Sequence, residues 1–142
     1  MRKPAHQPPT DDALCRAIVA VLPQATAAWL FGSASSGHWQ LDSDIDLAVA
    51  VRPALDAATR HRAALEIGDR LGHDVDLLDF HAEHTLMQAQ VLATGRLLFA
   101  QEPAQLLAYV GHTMTEYQHM QDWRQPMVTD MARRMAHQVP TP

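Results

Sequence analysis

The chain lacks a second cysteine. Cys15 stands alone among 142 residues, so no intramolecular disulfide can form and a reducing compartment fits. Basic charge is also scarce. Lys and Arg number 11 against 16 Asp and Glu, for a formal charge of −5 and a pI near 5.9. A dedicated nucleic-acid binder usually carries a basic face, so direct DNA or RNA binding is not expected. A small phosphorylated substrate held through a metal is compatible with this balance. Long apolar runs are missing too. The longest candidate, between Ile18 and Phe31, is broken by Pro23 and Gln24, which excludes a membrane-spanning helix there. The first residues, MRKPAHQPPT, have no apolar stretch of the signal-peptide kind. The expectation is a cytoplasmic protein with no membrane segment.

What is present is enough for one ordinary domain, at 47% hydrophobic and 19% charged residues. Residues 1–10, rich in proline and polar groups, are expected to form a flexible arm with nothing to bury. Thr10 or Asp11 can cap a helix to about Leu22, with Leu14, Ile18 and Val21 on one side. Ala27 to Phe31 is a short apolar strand, stopped by Gly32-Ser33. Residues 34–41 form a small polar loop or helical turn. Asp42 to Val51 is a second strand, with Ile45, Leu47, Val49 and Val51 facing one way and Asp44, Asp46, Ala48 and Ala50 the other. Pro53 is expected to open a helix carrying Leu55, Ala58, Leu65 and Leu71, ended by Gly72. Val75 to Phe80 reads as a third strand, 85–94 as a helix ended by Gly95, and Arg96 to Ala100 as a fourth strand. Glu102-Pro103 begins a longer helix with Leu106, Val110, Met114 and Tyr117 at helical spacing. Pro126 interrupts it, and Met127, Met131 and Met135 continue in a last helix. The mixed order predicts an α/β (α+β) domain with a small sheet over residues 11–101 and a helical extension over 102–142.

The segment DSDIDLAV carries the chemistry. Residues i and i+2 of a strand point the same way, so Asp44 and Asp46 form a pair. Two nearby carboxylates repel unless a cation compensates, and Mg²⁺ typically takes one or two carboxylates plus phosphate oxygens and water. In HDVDLLDF, Asp74 or Asp76 can add a third, as a two-metal phosphoryl-transfer site needs. On alternation alone a solvated acidic face explains the pair as well. Gly32-Ser33 weighs against that reading. A glycine turn after a strand can aim backbone N–H groups at an anion, and Ser33 adds a hydroxyl.

The string GSASSGHWQLDSDID, a Gly-Ser, ten residues, then Asp-x-Asp, resembles the signature of the DNA polymerase β-like nucleotidyltransferases. Its flanks WLFGS, LAVAV, VDLLDF and QVLATGRLLFA resemble the minimal nucleotidyltransferase (MNT) group over residues 12–100. The resemblance implies a small mixed nucleotidyltransferase sheet with helices packed on one side, and ATP with Mg²⁺ as cosubstrates. It implies that Gly32 and Ser33 bind the triphosphate and that Asp44 and Asp46 coordinate metal. Asp76 would be the third carboxylate, preferred to Asp74 because it directly precedes the apolar run. Members often carry an arginine after the Gly-Ser, where this chain has Ala34, Ser35 and Ser36. Arg52 or Arg96 are the other candidate cations, though a surface role suits both. Stand-alone chains of this size resemble the antitoxin half of HEPN/MNT toxin–antitoxin pairs. In that family AMP passes from ATP to a tyrosine hydroxyl of a HEPN-domain RNase toxin, and the two proteins form a hetero-oligomer. The rival readings are a non-catalytic binding antitoxin and a small-molecule nucleotidyltransferase of the aminoglycoside type. The methionines from Met114 to Met135 form either a partner surface or a helix face packed on the chain's own core. The nine histidines show no recognised zinc-ligand spacing.

Overall fold

A computed structural model describes residues 8–32, 34 and 43–138, with the backbone alone at 122–131, 135 and 137–138. The first helix, α1 (Asp11–Val21), starts where the chain supplies a cap. Thr10 Oγ1 accepts the Ala13 N–H at 3.2 Å, satisfying one of the free donors at a helix start. Leu14, Ala17 and Ile18 recur on one side of α1 and are buried.

Four strands, β1 (Ala27–Phe31), β2 (Ile45–Ala50), β3 (Val75–Asp79) and β4 (Arg96–Ala100), form one sheet ordered β3-β2-β1-β4. β1 runs antiparallel to β2 and to β4, and β2 runs parallel to β3. A parallel pair needs a crossover, usually a helix, and α2 (Ala57–Leu71) supplies it.

Several expected boundaries move. β2 begins at Ile45, so Asp44 lies just before the strand and is exposed. Asp42 and most of the 34–41 segment lie outside the described residues. α2 begins at Ala57 instead of Pro53 because Asp56 is the better cap, accepting the Thr59 N–H at 2.7 Å. The Leu55 N–H is already taken by Asp79 Oδ2 at 2.7 Å, which holds that segment outside the helix. The face α2 buries is Ala63, Ile67 and Gly68. Ala58 is exposed and Leu65 is 53% exposed, so neither belongs to the core. Gly72 ends α2 in the left-handed conformation at φ 74°. β3 stops at Asp79, and Phe80–Ala82 turn into a 3₁₀ helix because Asp79 Oδ1 accepts the His81 N–H at 3.1 Å. The next helix, α3 (Thr85–Thr94), and β4 have the bounds read from the sequence.

The largest departure is α4 (Pro103–Gln138), a single helix of 36 residues. Pro126 does not divide it. A proline forfeits one backbone bond and crowds the preceding turn, and the bonds on either side carry the helix past it. Among the described α4 side chains Thr113 is buried, at 2% exposure, whereas Met114 is 41% exposed. The side chains of Met127, Met131 and Met135 lie outside the described residues.

The sheet has two cores. On one face α1 and α2 pack Leu14, Ile18, Ala63 and Ile67 against Ala28, Leu30, Ile45, Leu47 and Val49, the single helical layer expected. The other face is also covered along part of its length. Trp29, Ala48 and Ala50 pack there with Phe80 and Val91, and Leu106 and Tyr109 of α4 close over them. This explains why small residues follow Asp46 on the strand.

Candidate active site

The site lies where β2 begins, on the face that α3 and α4 partly cover. Register decides which groups meet. Asp46 pairs with Asp76 across the parallel β2–β3 ladder, and with Phe31 across the antiparallel β1–β2 ladder. Neighbouring strands lie about 4.8 Å apart, so Phe31, Asp46 and Asp76 form a row across one end of the sheet. Asp44 precedes this row by two residues. The segment is tied down next to it, where the Ile45 N–H donates to the Asp74 carbonyl at 2.9 Å. Asp76 is thus in register with Asp46, while Asp74 contributes its backbone to the start of the ladder.

Asp44 and Asp76 both act on Asp46. Burial pushes the Asp46 carboxyl above the usual carboxylate range, and the charges of Asp76 and then Asp44 push it the same way. Asp44 and Asp76 are exposed and Asp46 is half-buried, so the cluster opens to solvent.

Gly32 makes this arrangement possible. Its φ is 74°, a conformation that residues with a side chain rarely adopt. A Cβ at this position would overlap Asp46 Oδ2 and lie 3.0 Å from Asp46 Cγ. The glycine therefore permits the turn after β1 and leaves room for the carboxylate beside it. Ser33 lies outside the described residues.

Neither arginine considered from the sequence reaches this end of the same face. Arg96 pairs with Asp11 Oδ1 at 2.7 Å, both half-exposed; it is in register with Leu30, whose side chain lies in the α1–α2 core. Arg52 follows the far end of β2. It lies six residues from Asp46, roughly 20 Å along an extended chain, and its guanidinium stands 5.4 Å from the Tyr109 ring centroid.

Asp79 was not singled out from the sequence, yet it is the most buried carboxylate described, at 1% exposure. It accepts the N–H groups of Leu55 and His81, so it ties the α2 approach to the end of β3. The signal was an acid in phase with Leu77, on the apolar side of VDLLD. The aromatic group on the second face also escaped notice. Trp29 stacks on Phe80 at 5.0 Å, and Tyr109 meets both Phe80 and His81.

Among the described residues, no three His, Cys, Asp or Glu side chains form a ready metal cage. The donor set nevertheless fits Mg²⁺. One or two carboxylates suffice when phosphate and water complete the shell, and a cation offsets the repulsion that raises Asp46.

This sheet and its acidic row define a nucleotidyltransferase. Residues 15–104 match the polymerase β nucleotidyltransferase family, and the chain belongs to that family. It is similar to the protein adenylyltransferase MntA of Shewanella oneidensis, 34% identical over 116 residues that span 81% of this chain and 82% of MntA. Among solved structures it resembles a toxin–antitoxin crystallised with AMP-PNP, at 30% identity and TM-score 0.77, covering 87% of this chain and 99% of that one. It also resembles a chain from the complex of tri-AMPylated Shewanella oneidensis HEPN toxin with MNT antitoxin. There the identity is 28% and the TM-score 0.71, over 86% of this chain and 95% of that one. No helix among the described residues is long and apolar enough to cross a membrane.

Proposed function

We propose that this chain is an antitoxin nucleotidyltransferase that moves AMP from ATP to a tyrosine hydroxyl of a cognate HEPN-domain RNase toxin and so neutralises it. The observation that carries the reading is the register of Asp46 with Asp76 beside Gly32, in a chain 34% identical to a protein adenylyltransferase.

The roles are those that the family resemblance implies for these residues. Gly32 and Ser33 hold the triphosphate tail through N–H and hydroxyl donors. Asp44, Asp46 and Asp76 hold Mg²⁺, which when bound neutralises charge on the phosphates. Asp76 orients the tyrosine hydroxyl and takes its proton as the oxygen attacks the α-phosphorus. The new bond is O–P, the bond to pyrophosphate breaks, and pyrophosphate leaves with its electron pair on oxygen. Work in the cytoplasm, where ATP and a toxin RNase meet, is part of this reading.

The test is co-expression with the product of the neighbouring gene, followed by intact-mass measurement of that partner; a neighbour unrelated to HEPN proteins would overturn the reading. The expected result is a gain of one or more AMP units, lost when Asp44→Asn and Asp46→Asn are combined. Toxin neutralised by the double variant with no mass gain would show a binding antitoxin instead. Transfer to an aminoglycoside with no protein partner would show a small-molecule enzyme.

A further inference from the structure

The second face of the sheet holds a cluster that the proposed chemistry does not use. His81 sits in the 3₁₀ turn after β3, with its ring edge-on to Tyr109 at 4.7 Å and an interplanar angle of 81°. Tyr109 is one of the residues through which α4 packs on the sheet, next to Phe80. The guanidinium of Arg52 lies over the same tyrosine ring. His81 Nε2 is buried and makes no hydrogen bond among the described residues.

A neutral imidazole costs less here than a charged one, because its unpaired ring nitrogen is an acceptor that carries no net charge. The second N–H of an imidazolium would be a buried donor with no acceptor, next to the positive charge of Arg52. We propose that His81 is a protonation switch for the docking of α4: neutral, it holds Tyr109 and the first half of the helix on the sheet; protonated, it releases them.

The charged and titratable groups facing His81 are Arg52 from the segment after β2, Asp79 at the end of β3, and Tyr109 of α4. Burial pushes the imidazole below its ordinary value and Arg52 pushes it further. Asp79, which also accepts two backbone N–H groups, pulls it upward but is outweighed. The sign follows. The unfolded histidine titrates near about 6.5, so the unfolded chain takes the proton first. Docking is fully present above that value and is lost as pH falls through the lower folded value. This proposal does not depend on the AMP-transfer reading.

Hydrogen exchange of the full chain tests it, read by mass at about pH 7.5 and about pH 5.5 and corrected for the intrinsic pH dependence of exchange. Peptides within residues 103–121 are expected to lose several-fold of their protection in acid, up to about tenfold, while peptides of α1 keep theirs. In His81→Gln, which cannot take the proton, the loss disappears. Unchanged protection in the wild-type chain, or the same acid loss in His81→Gln, overturns the proposal. Where His81→Gln does not fold, the His81 ring is titrated by NMR in the wild-type protein. A midpoint below about 6.5 supports the switch, and one at or above that value overturns it.

Discussion

Gly32 leaves open the space that the Asp46 side chain fills. At φ 74° any side chain on residue 32 is strained, and a Cβ there would overlap the Asp46 carboxylate. Gly32→Ala is therefore expected to lower AMP transfer at least about tenfold, an effect of about 1.4 kcal/mol. A stability cycle separates its two causes. In an Asp46→Ala background, Gly32→Ala should cost mainly the left-handed backbone, about 1–2 kcal/mol, since only the close Cβ at residue 46, 3.3 Å away, remains. In the wild-type background it should cost clearly more. Equal costs in urea titrations of the two backgrounds would show that the glycine does not seat Asp46. The carboxylate carries its own prediction. Burial, Asp76 and Asp44 all raise Asp46, so the ionised group opposes folding at neutral pH. That opposition disappears as pH falls through the raised value. Asp46→Asn should melt at a higher temperature than wild type in metal-free buffer and yet transfer no AMP. Mg²⁺ should raise the melting temperature of the wild-type protein and leave that of the variant nearly unchanged.

At the scale of elements, side-chain acceptors set most boundaries. Thr10 starts α1, Asp56 starts α2, and Asp79 turns the end of β3 into a 3₁₀ helix. Thr10→Ala should cost about 1 kcal/mol of unfolding free energy. Asp79→Ala strands two N–H groups and should cost about 3 kcal/mol, whereas Asp79→Asn keeps an acceptor oxygen and should cost less than half of that. Urea unfolding of both variants checks the difference. The elements legible in the sequence were those bounded by strong punctuation. Gly32 closes β1, and Gly95 separates α3 from β4, so these bounds agree with the structure. The start of α2 was misplaced because Pro53 is a good first helical residue, and its competitor, the Leu55 N–H bond to Asp79, spans 24 positions of chain. Pro126 misled for a related reason: it marks a missing bond but carries no information about whether its neighbours sustain the helix.

At the scale of the molecule, the first part of α4 packs on the sheet. Leu106 and Tyr109 complete the second core around Trp29 and Phe80. A chain ending at Glu102 would expose that apolar face, and it should lose cooperative thermal unfolding and aggregate, as read by calorimetry and light scattering. Retention of a sharp, reversible transition would show that the sheet needs only the α1–α2 layer. The same packing leaves the carboxylates at one open end of that face.

The sequence by itself determined the alternation that separates Asp46 from Ile45, the punctuation around the strands, and the Gly-Ser and Asp-x-Asp spacing that marks the family. These are local properties, set by residues within a few positions of each other. Tertiary structure decided what depends on strands meeting. It put Asp76 in register with Asp46 and placed Gly32 against its carboxylate. It also sent Arg52 and Arg96 elsewhere and gave His81 a tyrosine and an arginine for neighbours. The physical reason is that register and packing are long-range choices. They follow from which face each strand buries, and no short stretch of chain contains that information.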